Sequence, residues 1–311
     1  MITLEAVSAY VPPTVVPIES ISGGPDGLPE VQAKVFRRFY GLDSVRWDPE
    51  AGLGEILLQA IRKLSALHGR EHLVKYVIAA RTLQAVMPET INVVRQVCAQ
   101  AGLSHTNSFA VTQHACASGL LAVDVAGRLL ATDPDKESLA LVLVGEKAFT
   151  PSARYIPATT VMAEGTAAVL VSRNGSADRV LAYATRTHGR YNNGLLLTPE
   201  LAAQFQQEYP HAVVEVVHEA LRAAGLTLAD IDLVLPHNVN RVSWTRLCEL
   251  LGYPMDRVFM DNIPVTGHCF CADPFINLQN AVERGRLNPG DRYVMVAVGL
   301  GSTFSAMVLE H

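Results

Sequence analysis

SFAVTQHACASGLLAVDVAGRLLA, residues 108–131, decides how this chain is read. A short apolar, β-branched lead-in over 108–113 predicts a strand, and the run from Cys116 to 131 predicts a helix. A cysteine therefore falls where a strand turns into a helix, among Ala115, Ala117, Ser118 and Gly119, which are too small to crowd it. A thiol at a helix N-terminus meets the positive end of the helix dipole and unpaired N–H groups, both of which favour the nucleophilic thiolate. The plain structural alternative is a small buried core cysteine.

Continuous apolar runs predict further strands at 75–80, 139–146, 167–172, 231–236, 293–299 and 304–310. Continuity, rather than alternation, is expected of strands covered on both faces. Helical patterns lie between them; Pro88 opens one, while Gly225 and Gly252 close two others. Alternating strand and helix is the signature of an α/β fold. The order also repeats. In the first half, strand (75–80), helix (88–101), strand (108–113), helix (116–131) and two strands follow one another. In the second half the order is strand (231–236), helix (241–251), strand (257–261), helix (271–284) and two strands. The turn-rich SRNGSADR, 172–179, separates a first half, 1–174, from a second, 175–311.

The repeat brings other residues into play. The junction matching Cys116 in the second half is TGHCFCADP, with His268, and the turn after the strand at 231–236 holds His237. Sites in open α/β sheets gather at the carboxyl ends of strands, so halves packed about a pseudo-twofold axis would bring Cys116, His237 and His268 together. A neutral imidazole there can take a proton or donate to a developing oxyanion. His268, Cys269, Cys271 and Asp273 are all metal-capable types. Their H-C-x-C-x-D spacing matches no usual zinc framework and no second pair completes four ligands, so no metal is expected. Asp273-Pro274 reads as helix initiation.

Composition narrows the function class. A net charge of −5 leaves no basic footprint for nucleic acid or an anionic membrane. Five cysteines without a framework spacing suggest a reducing, cytoplasmic setting. No uninterrupted apolar stretch suggests a membrane span, and the N-terminus does not resemble a signal peptide.

Several segments, in order along nearly the whole chain, resemble the thiolase-fold condensing enzymes, specifically the ketoacyl-acyl carrier protein synthase III group. HACASG resembles the family's A-C-[AS]-G nucleophile turn, and AEGTAAVLVS (163–172) its G-D-G-A-G-A-x-x-L segment, with Glu164 where Asp is usual. LPHNVNR resembles H-Q-A-N, and RLNPGDRYVMVAVGLGSTFSAMVLE resembles the closing segment. One departure stands out: the family's G-N-[TS]-[SA] is here Gly267-His268-Cys269-Phe270, so the trio is Cys-His-His, as in the elongating ketosynthases.

The resemblance implies two pseudo-symmetric halves in a five-layered α/β/α/β/α arrangement. It implies an acyltransferase acylated on Cys116 by an acyl thioester of coenzyme A or an acyl carrier protein, needing no other cofactor. The Cys116 and Gly301 N–H groups would hold the oxyanion, His237 and His268 would serve the second substrate, Asn240 would support them, and Met87 would line the acyl pocket. Arg37, Arg38, Arg46 and Arg154 are candidates for a carrier or pantetheine phosphate at the mouth. Decarboxylative condensation with a malonyl thioester, in specialised metabolism, is the expected second step. Transfer to a hydroxyl or amine, hydrolysis of the acyl-enzyme, and a non-catalytic partner subunit are the alternatives. A homodimer is expected.

Overall fold

In the computed structural model, which describes residues 2–22, 27–83, 91–150 and 153–311, the stretch at 108–131 forms a strand, a tight turn and a helix. The first part of the chain contains β1 (Ile2–Tyr10), β2 (Val15–Pro17), α1 (Glu30–Val35), β3 (Ser44–Arg46), α2 (Leu53–Lys63), β4 (Val74–Ala80), α3 (Val93–Gln100), β5 (Asn107–Val111) and α4 (Ser118–Thr132). There follow β6 (Leu139–Glu146), β7 (Tyr155–Ile156), β8 (Thr160–Val161), β9 (Gly165–Ser172) and β10 (Asp178–Thr187). The last part contains α5 (Pro199–Ala224), β11 (Leu233–Leu235), α6 (Arg241–Leu251), α7 (Ile263–Thr266), α8 (Asp273–Glu283), β12 (Arg292–Gly299) and β13 (Thr303–Glu310).

Nine strands lie in the order β11-β12-β13-β10-β1-β9-β6-β4-β5. Two half-sheets meet at a short antiparallel seam, where Ile2, Thr3 and Leu4 of β1 face Val180, Arg179 and Asp178 of β10. Helices α2 and α3 cover one outer face, α4 and α8 pack in the middle, and α5 and α6 cover the other side, giving helix, sheet, helix, sheet, helix in section. Residues 115–132 are long and apolar enough to cross a membrane by length and composition, but here they form the central turn and helix, mostly buried. Alanines and Gly127 give α4 its close approach to the sheet: a Cβ on Gly127 would lie 2.6 Å from Ile2 Cδ1.

Four sequence expectations need correction or a limit. β1 and β10 carry intermediate residues between buried ones, so a search for continuous apolar runs passes over them. The strand expected at 257–261 is absent; only Val258 bridges Val234, after a 3-10 turn at Met255–Arg257. Helix α5 begins at Pro199, capped by Thr198, well before the periodic stretch from 211, and carries Pro210 inside it. Met87 and Pro88 lie outside the described residues; the helix expected from 88 is seen as α3 from Val93, with Asn92 accepting from the Arg95 N–H.

Candidate active site

The turn Ala115–Ala117 leads directly into α4. Ala115 adopts φ +47°, and Cys116 is 3% exposed. The turn between β12 and β13 presses on it: a Cβ on Gly299 would sit 1.9 Å from the His114 carbonyl oxygen, so glycine is required for this approach. At the end of β4, the Thr82 hydroxyl donates to Cys116 Sγ at 3.4 Å. Glu146, fully buried at the end of β6, holds that chain segment by accepting the Thr82 N–H at 2.5 Å and the Leu83 N–H at 2.9 Å. Burial pushes the Glu146 carboxyl up to about 7 despite these donors.

His237 follows Pro236 at the carboxyl end of β11. Its loop is fixed by buried amides: Asn277 Nδ2 donates to the Pro236 carbonyl at 2.8 Å and to Asn238 Oδ1 at 2.9 Å. Trp244 Nε1 donates to the His237 carbonyl at 3.0 Å. Buried polar groups paired in this way impose one loop conformation. The ring's Nε2 is 2.8 Å from the hydroxyl of Tyr209, on α5. Burial, with His268 nearby, lowers the His237 pKa to about 3, so the ring is neutral.

His268 is placed by Gly267, whose φ is +80° and where a Cβ would lie 2.8 Å from Val45 Cγ1. The backbone beyond is stitched to the first part of the chain: the His268 N–H donates to the Val161 carbonyl at 3.1 Å, and the Ala163 N–H donates to the His268 carbonyl at 2.8 Å. Asp273, the first residue of α8, has no exposed surface. Its carboxylate accepts from the Cys269 N–H at 2.7 Å, from the Asn238 N–H at 2.6 Å, and from His268 Nδ1. That bond leaves Nε2 as the nitrogen that addresses Cys116. Burial opposes charge on His268, but the Asp273 carboxylate and the Cys116 sulfur raise its pKa to about 10. Cysteine, imidazole and carboxylate thus follow the nucleophile, base and orienting-group logic of covalent catalysis.

The structure brings Cys116, His237 and His268 to one cavity of about 340 Å³. The two imidazole centroids are 6.4 Å apart. The cavity is walled by the 156–159 hairpin, by Phe205 and Tyr209 of α5, by the start of α6, and by Gly299 and Leu300. Gly301 follows them in the same turn, with φ +120°. Asn240 lines the cavity while capping α6: its Oδ1 accepts the Ser243 N–H at 2.7 Å and its Nδ2 donates to the Thr159 carbonyl at 2.9 Å.

None of the arginines singled out from sequence lines the cavity. Arg37 pairs with Glu19, Arg38 lies over Phe39, Arg46 donates to the Val265 and Pro13 carbonyls, and Arg154 stacks over Trp47. Arg246 lines the cavity instead. Among the described residues, no group of three or more His, Cys, Asp or Glu is arranged to hold a metal ion. Glu164 makes a buried pair with Lys147 at 2.9 Å and accepts the Asp48 N–H at 2.8 Å, away from the cavity.

Sequence reading missed Tyr209 and Thr82, and it took Asp273 for helix initiation, which it serves as the first residue of α8, without its bond to His268. For Tyr209 the signal was present in Thr198-Pro199-Glu200, a helix start from which Leu201, Phe205 and Tyr209 follow at four-residue spacing. For Asp273 and Thr82 no local signal distinguishes an orienting group from an ordinary turn residue.

Residues 221–311 match the family model for the C-terminal part of 3-oxoacyl-[acyl-carrier-protein] synthase III. The chain is 28% identical to a beta-ketoacyl-[acyl-carrier-protein] synthase III of Rhizorhabdus wittichii over 76% of each chain. It is 26% identical to that of Dinoroseobacter shibae over 98% of this chain and 97% of that one. Among solved structures it superposes on the Aquifex aeolicus 3-oxoacyl-[acyl-carrier-protein] synthase III with a TM-score of 0.82 at 24% identity, covering all of both chains. ChlB3, an acyltransferase, gives a TM-score of 0.84 at 20% identity, over 99% of this chain and 97% of that one. The chain has the fold of these 3-oxoacyl-[acyl-carrier-protein] synthase III structures, and its sequence is similar to beta-ketoacyl-[acyl-carrier-protein] synthase III enzymes over most of its length.

Proposed function

We propose that the chain is an acyltransferase that takes an acyl group onto Cys116 from a thioester of coenzyme A or an acyl carrier protein. The observation that carries this reading is the contact of Cys116 with the His268–Asp273 pair in a cavity that also holds His237. His268, held by Asp273, carries the proton; the Cys116 thiolate attacks the thioester carbonyl, the carbon–sulfur bond to the donor breaks, and the donor leaves as a thiolate that takes its proton from solvent. The Cys116 and Gly301 N–H groups are the proposed oxyanion donors, with Asn240 holding the loop after His237. The proposal includes a cysteine-bearing half, 1–174, a histidine-bearing half, 175–311, a homodimer and a cytoplasmic setting.

For the second step, the names of the relatives support decarboxylative condensation with a malonyl thioester. There His268, protonated and oriented by Asp273, donates to the enolate oxygen as carbon dioxide leaves. A place in specialised metabolism is part of this proposal, motivated by His268 at the family's asparagine position. A second reading, transfer to a hydroxyl or amine, is favoured by one observation. The Tyr209 hydroxyl sits where a heteroatom nucleophile would meet His237 Nε2. A degenerate partner subunit has no use for a cysteine wired to a histidine and a buried carboxylate.

Intact-protein mass after incubation with a panel of acyl-coenzyme A thioesters tests the first step. An adduct on the wild type and none on Cys116→Ala is expected. No adduct with coenzyme A or carrier-protein donors sinks the acyl-enzyme. Malonyl-coenzyme A added to the adduct then distinguishes the second steps: release of carbon dioxide marks condensation, and consumption by added alcohols or amines marks transfer.

A further inference from the structure

An acyl-enzyme beside a neutral imidazole faces a competitor in water. Removing a proton from water needs a free lone pair on that imidazole, within hydrogen-bond reach of the attacking oxygen. His237 is neutral and lines the same cavity as Cys116. Its Nε2 is taken by the Tyr209 hydroxyl at 2.8 Å. Phenol is the stronger acid of the two groups and the imidazole nitrogen the stronger base, so the phenol donates and Nε2 accepts. Burial raises the Tyr209 pKa, which keeps the phenol un-ionised and the donor role fixed.

The phenol is held there by its surroundings. Tyr209 sits on α5, its ring edge-on to Phe205 with centroids 5.8 Å apart and tilted on Phe304 at 6.1 Å. Phe205 in turn meets the buried Tyr191 edge-on at 5.2 Å. This aromatic row runs from the 189–191 turn to His237 and places one polar atom, the Tyr209 oxygen, on the imidazole. His268 has a different partner, Asp273, so the two histidines are prepared for different tasks.

We infer that Tyr209 is a positioning residue that protects the acyl-enzyme from hydrolysis. Its hydroxyl occupies His237 Nε2 until an acceptor of suitable shape displaces it. This rests on the acyl-Cys116 reading above and adds to it a control over which nucleophile reaches the acyl carbon. When the phenol is absent, water takes its place. Its oxygen bonds to the acyl carbon, its proton passes to His237 Nε2, the carbon–sulfur bond breaks, and the Cys116 thiolate leaves with release of a carboxylic acid.

The test acetylates Cys116 with p-nitrophenyl acetate, a donor that needs no carrier recognition, and follows loss of the acetyl group by intact mass. Tyr209→Phe is expected to hydrolyse its acetyl-enzyme about tenfold faster or more than wild type. Tyr209→Met, which also lacks the hydroxyl, is expected to behave alike, each variant being qualified by a cooperative melt. The double variant Tyr209→Phe/His237→Ala is expected to return to the wild-type rate, a reversal that simple loosening of the cavity would not produce. Normal acetylation of both single variants with wild-type or slower hydrolysis overturns the role of Tyr209 and leaves the acyl-enzyme standing. Fast hydrolysis that persists in the double variant also overturns it. Failure of wild-type Cys116 to acylate with this donor or with any thioester removes the acyl-enzyme reading and this inference together.

Discussion

Cys116 and Cys271 occupy matching places in the fold. Each follows a non-glycine residue with positive φ, Ala115 at +47° and Phe270 at +54°. Each lies in a 3-10 turn, Ala115–Ala117 or Phe270–Ala272, that runs directly into a central helix, α4 or α8. The two turns touch: a Cβ on Gly119 would fall 2.7 Å from the Cys271 carbonyl oxygen. The helix dipole argument applies equally to both thiols. Their surroundings do not. Cys116 opens on the cavity, with the Thr82 hydroxyl on its sulfur and His268 beside it. Cys271 donates its S–H to the Ala80 carbonyl at 3.1 Å, and burial, followed by the nearby Glu146, holds its pKa well above the usual thiol value. The backbone turn is common to both; the histidine and the opening on the cavity are what set Cys116, the proposed nucleophile, apart.

The comparison breaks most sharply at the sulfurs themselves. Cys116→Ala is expected to abolish the acyl adduct, a loss of roughly a thousandfold or more in acylation rate. Cys271→Ala is expected to keep the adduct, with acylation within about twofold of wild type; intact mass reads both. An adduct that disappears only in Cys271→Ala would reverse the assignment.

Asp273→Asn removes the charge that orients His268 and is expected to slow acylation by roughly a thousandfold. Stopped-flow release of the donor thiol measures it, and a fall of less than about threefold would show that Asp273 serves only the fold. The same pair sets a pH signature. The folded pKa of His268, about 10, lies above its ordinary 6.5, so its stabilising contribution is whole below pH 6.5 and is lost as pH rises through 10. The folded pKa of His237, about 3, lies below 6.5, so its contribution is whole above pH 6.5 and is lost as pH falls toward 3. Thermal melts across pH should therefore fall off on both sides, the alkaline fall flattening in Asp273→Asn and the acid fall in His237→Gln.

Two smaller effects sharpen the comparison. Gly119→Ala drives a methyl into the Cys271 carbonyl and the Phe275 ring, 2.7 and 2.9 Å away, where the two turns meet. A cost of about 1–3 kcal/mol in denaturant unfolding is expected. Thr82→Val removes the hydroxyl from Cys116 Sγ and is expected to change the acylation rate by about threefold. No change would mean that the 3.4 Å contact is incidental.

Much of this was legible before any coordinates. Continuous apolar runs at 139–146, 167–172 and 293–299 correspond to β6, β9 and β12 because buried strands need no polar alternation. Cys116, His237 and His268 could be picked out because each follows a strand or turn in a repeated order, and the structure places them in one cavity. The edges of the half-sheets were not legible. β1 and β10 are partly exposed, and their pairing at the seam depends on residues 178 apart, such as Ile2 and Val180. The length of α5 was hidden by Pro210, which reads locally as a helix breaker although its turn is held by packing.

The amino-acid order by itself determined the alternation of strands and helices, the repeat, and the small residues that let a cysteine sit at a helix start. Local sterics and periodic burial are encoded over a few neighbouring positions, and so can be read there. Only the tertiary structure decided which cysteine has a histidine, which carboxylate orients it, and that Tyr209 covers the other histidine. Those relations join Cys116 to His268 and Tyr209 to His237 across half-sheets and helices distant in sequence. They follow from how the layers pack around α4 and α8, and no local pattern records which side chains that packing brings within hydrogen-bond reach.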